Sequence, residues 1–234
     1  MSAIKLYTSP LCPYAQRVKL ALSEKGLLVD EISVDPRKKP DWFLTISPGG
    51  RTPLLVHNGV HISESAVINE YVEEVFPEQP LLPKAPEQRA LARVWISFAD
   101  WRIYEPTHRL LLCRNPNEQD RLAKEIASAL LFLEKHALAA HNGPYLLGDE
   151  FSLADISLFA WFEQVAVPER FRQFRLPTPC ERISAWRVAV ARRSSVKSVM
   201  KHPDYYLQGY APLFDQFEAG MFDVPPANLH VTSV

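Results

Sequence analysis

Only three cysteines, Cys12, Cys113 and Cys180, occur in 234 residues, too few and too scattered for a disulfide framework. They fit free thiols in a reducing cytosol, so a cytoplasmic location is expected. No run of about 18 apolar residues occurs, so neither a transmembrane helix nor a membrane partner is expected. The opening "MSAIKLYTS" lacks a long apolar stretch and a small-residue cleavage site, and no signal peptide is expected. An excess of one charge is missing as well, since 26 Lys and Arg face 27 Asp and Glu for a net charge of -1. That balance argues against nucleic acid, which needs a basic face to bind. The one basic clump, "ARRSSVKSVMK" (191–201), reads as a solvated helix end. Internal repeats and low-complexity segments are also absent.

What is present falls into two unlike parts. "AIKLYT" (3–8) alternates as a strand does, and residues 14–25 carry Ala15, Val18, Leu20, Ala21 and Leu22 near helical spacing, stopped by Gly26. "LLVDEISV" (27–34) reads as a second strand, and "KKPDWFLTIS" (38–47) as a short helix or irregular turn. "TPLLVHNGVHI" (52–62) places Asn58-Gly59 between two apolar runs, a strong hairpin signal. "SESAVINEYVEEVFP" (63–77) reads as a helix ended by Pro77. The order predicts a small α/β layer with a parallel strand pair and a right-handed crossover.

Four prolines in "PEQPLLPKAPEQR" (77–89) mark a stiff linker. Beyond it, 87–113, 118–141, 152–166 and 180–192 read as helices. Ser152 followed by Asp155 is close to a capping box. Residues from His202 onward are rich in aromatics and proline without clear periodicity, and read as a packed or partly disordered tail. The domain reading is an α/β unit over 1–78, a linker over 79–88, an all-helical unit over 89–201 and a tail over 202–234.

The chemistry centres on "SPLCPYAQRV" (9–18). A cysteine just ahead of a helix meets outward-pointing N–H groups and the positive end of the helix dipole, which favour its thiolate. Such thiols can titrate as low as about 3.5–7.5, so a lowered value is expected. Pro13 suits the first helical turn. Arg17, one turn on, is placed to orient the helix start or pair with a carboxylate. The bland alternative for Cys12 is a small buried hydrophobe. A dithiol site would carry its second thiol at position 15, which is Ala15. Cys12 therefore stops at a mixed disulfide, and a second small thiol with its own pocket must release it.

Candidates for that pocket lie in the same α/β unit. The Thr52-Pro53 bond is either cis, turning the Thr52 backbone toward a peptide-like ligand, or an ordinary trans turn. Glu64 and Ser65 open a helix and suit an ammonium and a carboxylate, or simply cap it. Lys39 is either a second carboxylate anchor or a solvated lysine of its "RKKP" run.

"CPYAQRVKLALSEKG", "KPDWF", "TPLL", "SESAVINEYVEEVFP" and "FSLADI" together resemble the cytosolic glutathione transferases, nearest to the omega-like cysteine type, over about residues 3–200. The resemblance implies a thioredoxin-like α/β N-terminal domain followed by an all-α C-terminal domain. It implies glutathione as co-substrate, no metal, and a homodimer. On the family pattern Cys12 holds the mixed disulfide and Lys39 contacts the glycine carboxylate of glutathione. Thr52 precedes the family's cis-proline, here Pro53, while Glu64 and Ser65 hold the γ-glutamyl end. Tyr14 replaces the usual Phe. Pro13, Tyr14, Trp101, Tyr104 and His108 are candidates for the acceptor pocket; the last three fall at i, i+3 and i+7, a spacing that also suits core. The expected activity is thiol transfer through glutathione mixed disulfides, including dehydroascorbate-type reduction. One alternative is conjugation of glutathione to apolar electrophiles, with Ser9 or Tyr7 holding its sulfur. Another is a non-catalytic binding protein on the same scaffold.

Overall fold

Burial alternates residue by residue along β1 (Ile4–Thr8), turning Ile4 and Leu6 into a core and Lys5 to solvent. The computed structural model describes residues 4–220. After β1 come α1 (Pro13–Glu24), β2 (Val29–Ser33), α2 (Asp41–Ile46), β3 (Leu54–His57), β4 (Val60–Ser63) and α3 (Ser65–Val75). The strands lie in the order β2-β1-β3-β4. β1 pairs parallel to β2 and antiparallel to β3, and β3 antiparallel to β4. The turn between β3 and β4 takes Asn58 and Gly59 at positive φ, 52° and 78°, as a tight hairpin requires. Val18 and Leu22 of α1 and Ile68 and Val72 of α3 cover one sheet face, against Ile4, Leu6 and Leu55. Phe43 of α2 covers the other, with Val34 and Leu54. This is the thioredoxin-like layer that the resemblance implies, with an all-helical part after it.

That part begins with α4 (Pro86–Ala99), which continues through a π-helical turn, Asp100–Tyr104, into α5 (Glu105–Leu112). α6 (Pro116–His136), α7 (Leu153–Phe162), α8 (Ala166–Phe171), α9 (Glu181–Ala191), α10 (Ser194–Val199) and α11 (Pro203–Glu218) follow. All of α7 is buried, so it runs as a central rod with no polar face. Both halves of the capping box at Ser152 and Asp155 are formed.

Three features depart from the sequence reading. The single helix expected over 87–113 carries the π turn. The short helices α8 and α10 were not expected. Residues 203–218, read as part of an aperiodic tail, are helical. α11 contains Pro212 and buries Tyr206, Phe214 and Phe217, so its apolar pattern is interrupted and packing sustains it more than propensity does. The remainder of the tail reading, from 221 on, lies outside the described residues.

The proline-rich stretch is fixed at its start. Buried Lys25, at the end of α1, donates from Nζ to the carbonyls of Phe76 and Gln79 at 2.9 and 2.8 Å and pairs with Glu73 at 2.6 Å. Glu73 in turn accepts the N–H groups of Leu81 and Leu82.

Candidate active site at Cys12

Pro13 at the first helical position makes Cys12 the N-cap of α1, in extended backbone with φ -78° and ψ 113°. Its Sγ accepts the Ala15 N–H at 3.4 Å and donates to the Thr52 carbonyl at 3.5 Å. The Thr52-Pro53 bond is cis, which settles the alternative the sequence leaves open.

The expected lowering of the thiol pKa does not occur. Burial pushes the Cys12 thiol up, outweighing the Ala15 and Tyr14 N–H groups, the Thr52 contact and Arg17, which pull it down. The dipole argument names a real contribution, but desolvation exceeds it. Because the thiolate is the reactive form, a raised value leaves little of it at pH 7. Alkylation of Cys12 by iodoacetamide in the ligand-free protein should keep accelerating above the ordinary thiol midpoint of about 8.5. A rate that levels off below pH 7.5 would contradict this.

Arg17 lies one turn further along α1 and only 1% of it is exposed. Its guanidinium donates to Ser65 Oγ at 3.3 Å and pairs with Asp100 at 2.5 Å. It also lies over the rings of Tyr104 and Tyr14, at 4.8 and 5.5 Å. One buried cation thus joins the Cys12 helix, the start of α3 and the π turn of the helical part. Burial pushes the Tyr14 and Tyr104 hydroxyls up, so both stay protonated.

The other sequence candidates are distributed around this centre. Ser65 is buried beneath Arg17. Glu64 is exposed, takes φ 67° and makes no capping hydrogen bond with its side chain. It stands 3.6 Å from Arg51. A non-glycine residue held at positive φ marks a backbone that its surroundings constrain. Lys39 is exposed and its side chain runs over Gly50, where an added Cβ would meet Lys39 Cδ at 3.1 Å. The Tyr104 ring packs tilted against Tyr14, ring centroids 4.9 Å apart, and its hydroxyl donates to the Ser157 carbonyl at 2.8 Å. Trp101 and His108 lie on the surface, Trp101 57% exposed. The i, i+3, i+7 spacing assumes α-helical register, and the π turn interrupts that register.

The two residues proposed to hold the sulfur at a conjugating site are both packed into the α/β layer. The Tyr7 ring packs on Trp42 and Phe43, 5.7 and 5.9 Å away, and Ser9 is buried with its carbonyl accepting the Cys12 N–H at 3.1 Å. Sequence reasoning missed α11, which approaches from the far end of the chain. Tyr210 donates to the Leu11 carbonyl at 3.3 Å. Gly209 lies so near Leu11 that a Cβ there would sit 2.5 Å from Leu11 Cδ2. No periodic signal in the tail could have found this contact. Among the described residues no cluster of His, Cys, Asp and Glu suits a metal ion, and no helix is long and apolar enough to cross a membrane.

Two family models match the chain: "Glutathione S-transferase, N-terminal domain" over residues 6–80 and "Glutathione S-transferase, C-terminal domain" over 116–189. The chain is 33% identical over 204 residues to "Probable glutathione S-transferase DHAR1, cytosolic" of Oryza sativa subsp. japonica, covering 86% of this chain and 89% of that one. It is 31% identical over 186 residues to "Glutathione S-transferase U22" of Arabidopsis thaliana, covering 79% and 84%. Among solved structures, glutathione transferase Omega 3C from Trametes versicolor superimposes with a TM-score of 0.78 at 31% identity, covering 93% and 92%.

Proposed function

The chain belongs to the glutathione S-transferase family, and from that premise we propose that it is an omega-like thiol transferase working through one cysteine. The observation that carries this reading is Cys12 at the start of α1, facing the Thr52 carbonyl, with Ala15 where a second thiol would stand. The Cys12 thiolate attacks the glutathione sulfur of a mixed disulfide. The old S–S bond breaks, the acceptor thiolate leaves and takes a proton, and Cys12–S–S–glutathione forms. A glutathione thiolate then attacks the glutathione sulfur of that bond, releasing oxidised glutathione and the Cys12 thiolate. A raised thiol pKa is compatible with this cycle, because intrinsic nucleophilicity grows with pKa even as the thiolate fraction falls.

In this reading the Thr52 backbone pairs with the cysteinyl peptide of glutathione beside Pro53. Lys39 takes the glycine carboxylate, and Glu64 and Ser65 take the γ-glutamyl end. Arg17 holds Ser65 in place. Pro13, Tyr14 and Tyr104 form the acceptor side, with Trp101 and His108 at its outer rim. Dehydroascorbate is a second acceptor class, supported by the likeness to the DHAR1 protein. Three free thiols suit a reducing cytoplasm.

Paired assays test the proposal. Reduction of a small glutathione mixed disulfide should exceed conjugation of a chloronitrobenzene by more than about tenfold in kcat/KM. Conjugation alone would favour the transferase alternative. Binding of glutathione with neither activity would favour the non-catalytic one.

A homodimer completes the proposal. Ala90, Arg93, Val94, Ser97 and Trp101 recur along the exposed side of α4 and its π turn, and Arg93 pairs with Glu70 of α3, near exposed Val67. Sedimentation velocity at micromolar concentration should show a dimer, and Val94→Glu should shift it to monomer. A wild-type monomer would remove this part of the reading.

A further inference from the structure

Glu163 closes α7 and is buried, yet the cycle above does not use it. Its carboxylate accepts Gln16 Nε2 at 3.2 and 3.0 Å, the Lys201 N–H at 3.0 Å and the Tyr206 hydroxyl in a short hydrogen bond. Gln16 also donates to the Val199 carbonyl at 3.2 Å. Four parts of the chain therefore meet on one side chain: α1, the end of α7, the connection from α10 to α11, and the first turn of α11.

The partners are not arbitrary. Gln16 lies one turn after Cys12 on the same helix. Tyr206 lies one turn before Tyr210, which bonds the Leu11 carbonyl next to Cys12. Gly209 between them gives α11 its close approach to Leu11. Tyr206, Leu207, Tyr210 and Phe214 share one apolar cluster with Leu11. The Glu163 junction is thus the polar end of the contact by which α11 covers the Cys12 turn, and Tyr210 is the other end.

We propose that Glu163 is a positioning residue that fastens α11 over Cys12 and thereby sets which acceptors reach the thiol. It touches neither substrate nor thiol and acts through Gln16 and Tyr206. A carboxylate suits the position because all its neighbours are donors: an amide, a backbone N–H and a hydroxyl. An amide in its place keeps an oxygen for Lys201 and Tyr206 only by turning its NH2 group toward Gln16 Nε2, another donor. Removing one strong hydrogen bond from a two-state contact raises the open population without abolishing the closed one.

The test reads access to Cys12 directly, so its result does not depend on glutathione turnover or on the proposed activity. The full chain is treated with iodoacetamide or with a bulky maleimide dye, and labelling of the Cys12 peptide is timed by mass spectrometry. Glu163→Gln and Tyr206→Phe should each speed dye labelling about tenfold while changing iodoacetamide labelling less than about twofold. Thermal unfolding should remain a single transition. Tyr206→Phe keeps the ring and decides the matter alone if Glu163→Gln does not fold. Equal acceleration of both reagents would mean general loosening and would overturn the proposal. Unchanged labelling by both would overturn it as well.

Discussion

Cys12→Ser should lose about a thousandfold or more of the turnover on glutathione mixed disulfides, roughly 4 kcal/mol of transition-state stabilisation. A serine hydroxyl is almost never ionised near neutral pH and does not attack sulfur usefully, so the first step of the cycle has no nucleophile. The fold should be intact, and that makes the result interpretable. Serine is a preferred N-cap, and its Oγ can accept the N–H groups that Sγ now faces. Glutathione affinity should stay within a few-fold, because the residues proposed to hold it, Lys39, Thr52, Glu64 and Ser65, are untouched. Residual disulfide reduction above a tenth of wild type would place the nucleophile elsewhere. If wild type never reduced disulfides while conjugation survived in the variant, the hydroxyl-based chemistry of Tyr7 or Ser9 would replace the reading.

Asp155→Ala should cost about 3–5 kcal/mol of folding stability, read from the denaturant midpoint. The carboxylate is fully buried and accepts the Leu146 N–H at 2.8 Å, the Ser152 N–H and hydroxyl at 2.9 Å, and Trp186 Nε1 at 2.8 Å. Burial pushes the Asp155 carboxyl up, so its charge alone is no asset. The cost comes from its partners. Truncation leaves two backbone N–H groups and an indole N–H without their acceptor in a buried site, each an expensive loss. It also uncaps α7, the rod around which the helical part packs. A loss below about 1 kcal/mol would mean that water or rearrangement satisfies those donors.

The sheet and the helices α1 and α3 were legible because their signals are local. Alternation in "AIKLYT", the Asn58-Gly59 turn and the Gly26 stop each act within a few residues. The capping box at Ser152 and Asp155 was legible for the same reason. Arg17 could be seen as seeking a carboxylate, but not which one, since Asp100 lies 83 residues away. The sequence points the Cys12 pKa downward because the helix dipole is a sequence-local feature, whereas the desolvation that raises it is not. The same limit hid Glu163, a buried carboxylate whose donors come from α1, from the connection before α11 and from α11 itself.

Lys25 and Arg17 sit on one helix and each reaches out of the thioredoxin-like layer, one to the proline stretch and the other to Asp100. Cutting the chain after residue 78 would therefore not yield a self-sufficient module. The severed piece would expose the face of α1 that α7 and α10 cover, and would leave Arg17 without Asp100 and Glu73 without the Leu81 and Leu82 amides. Such groups tolerate no half-measures, so the two halves should melt together as one cooperative unit. Gene fusions or split reporters built at that junction would inherit the weakness of both fragments.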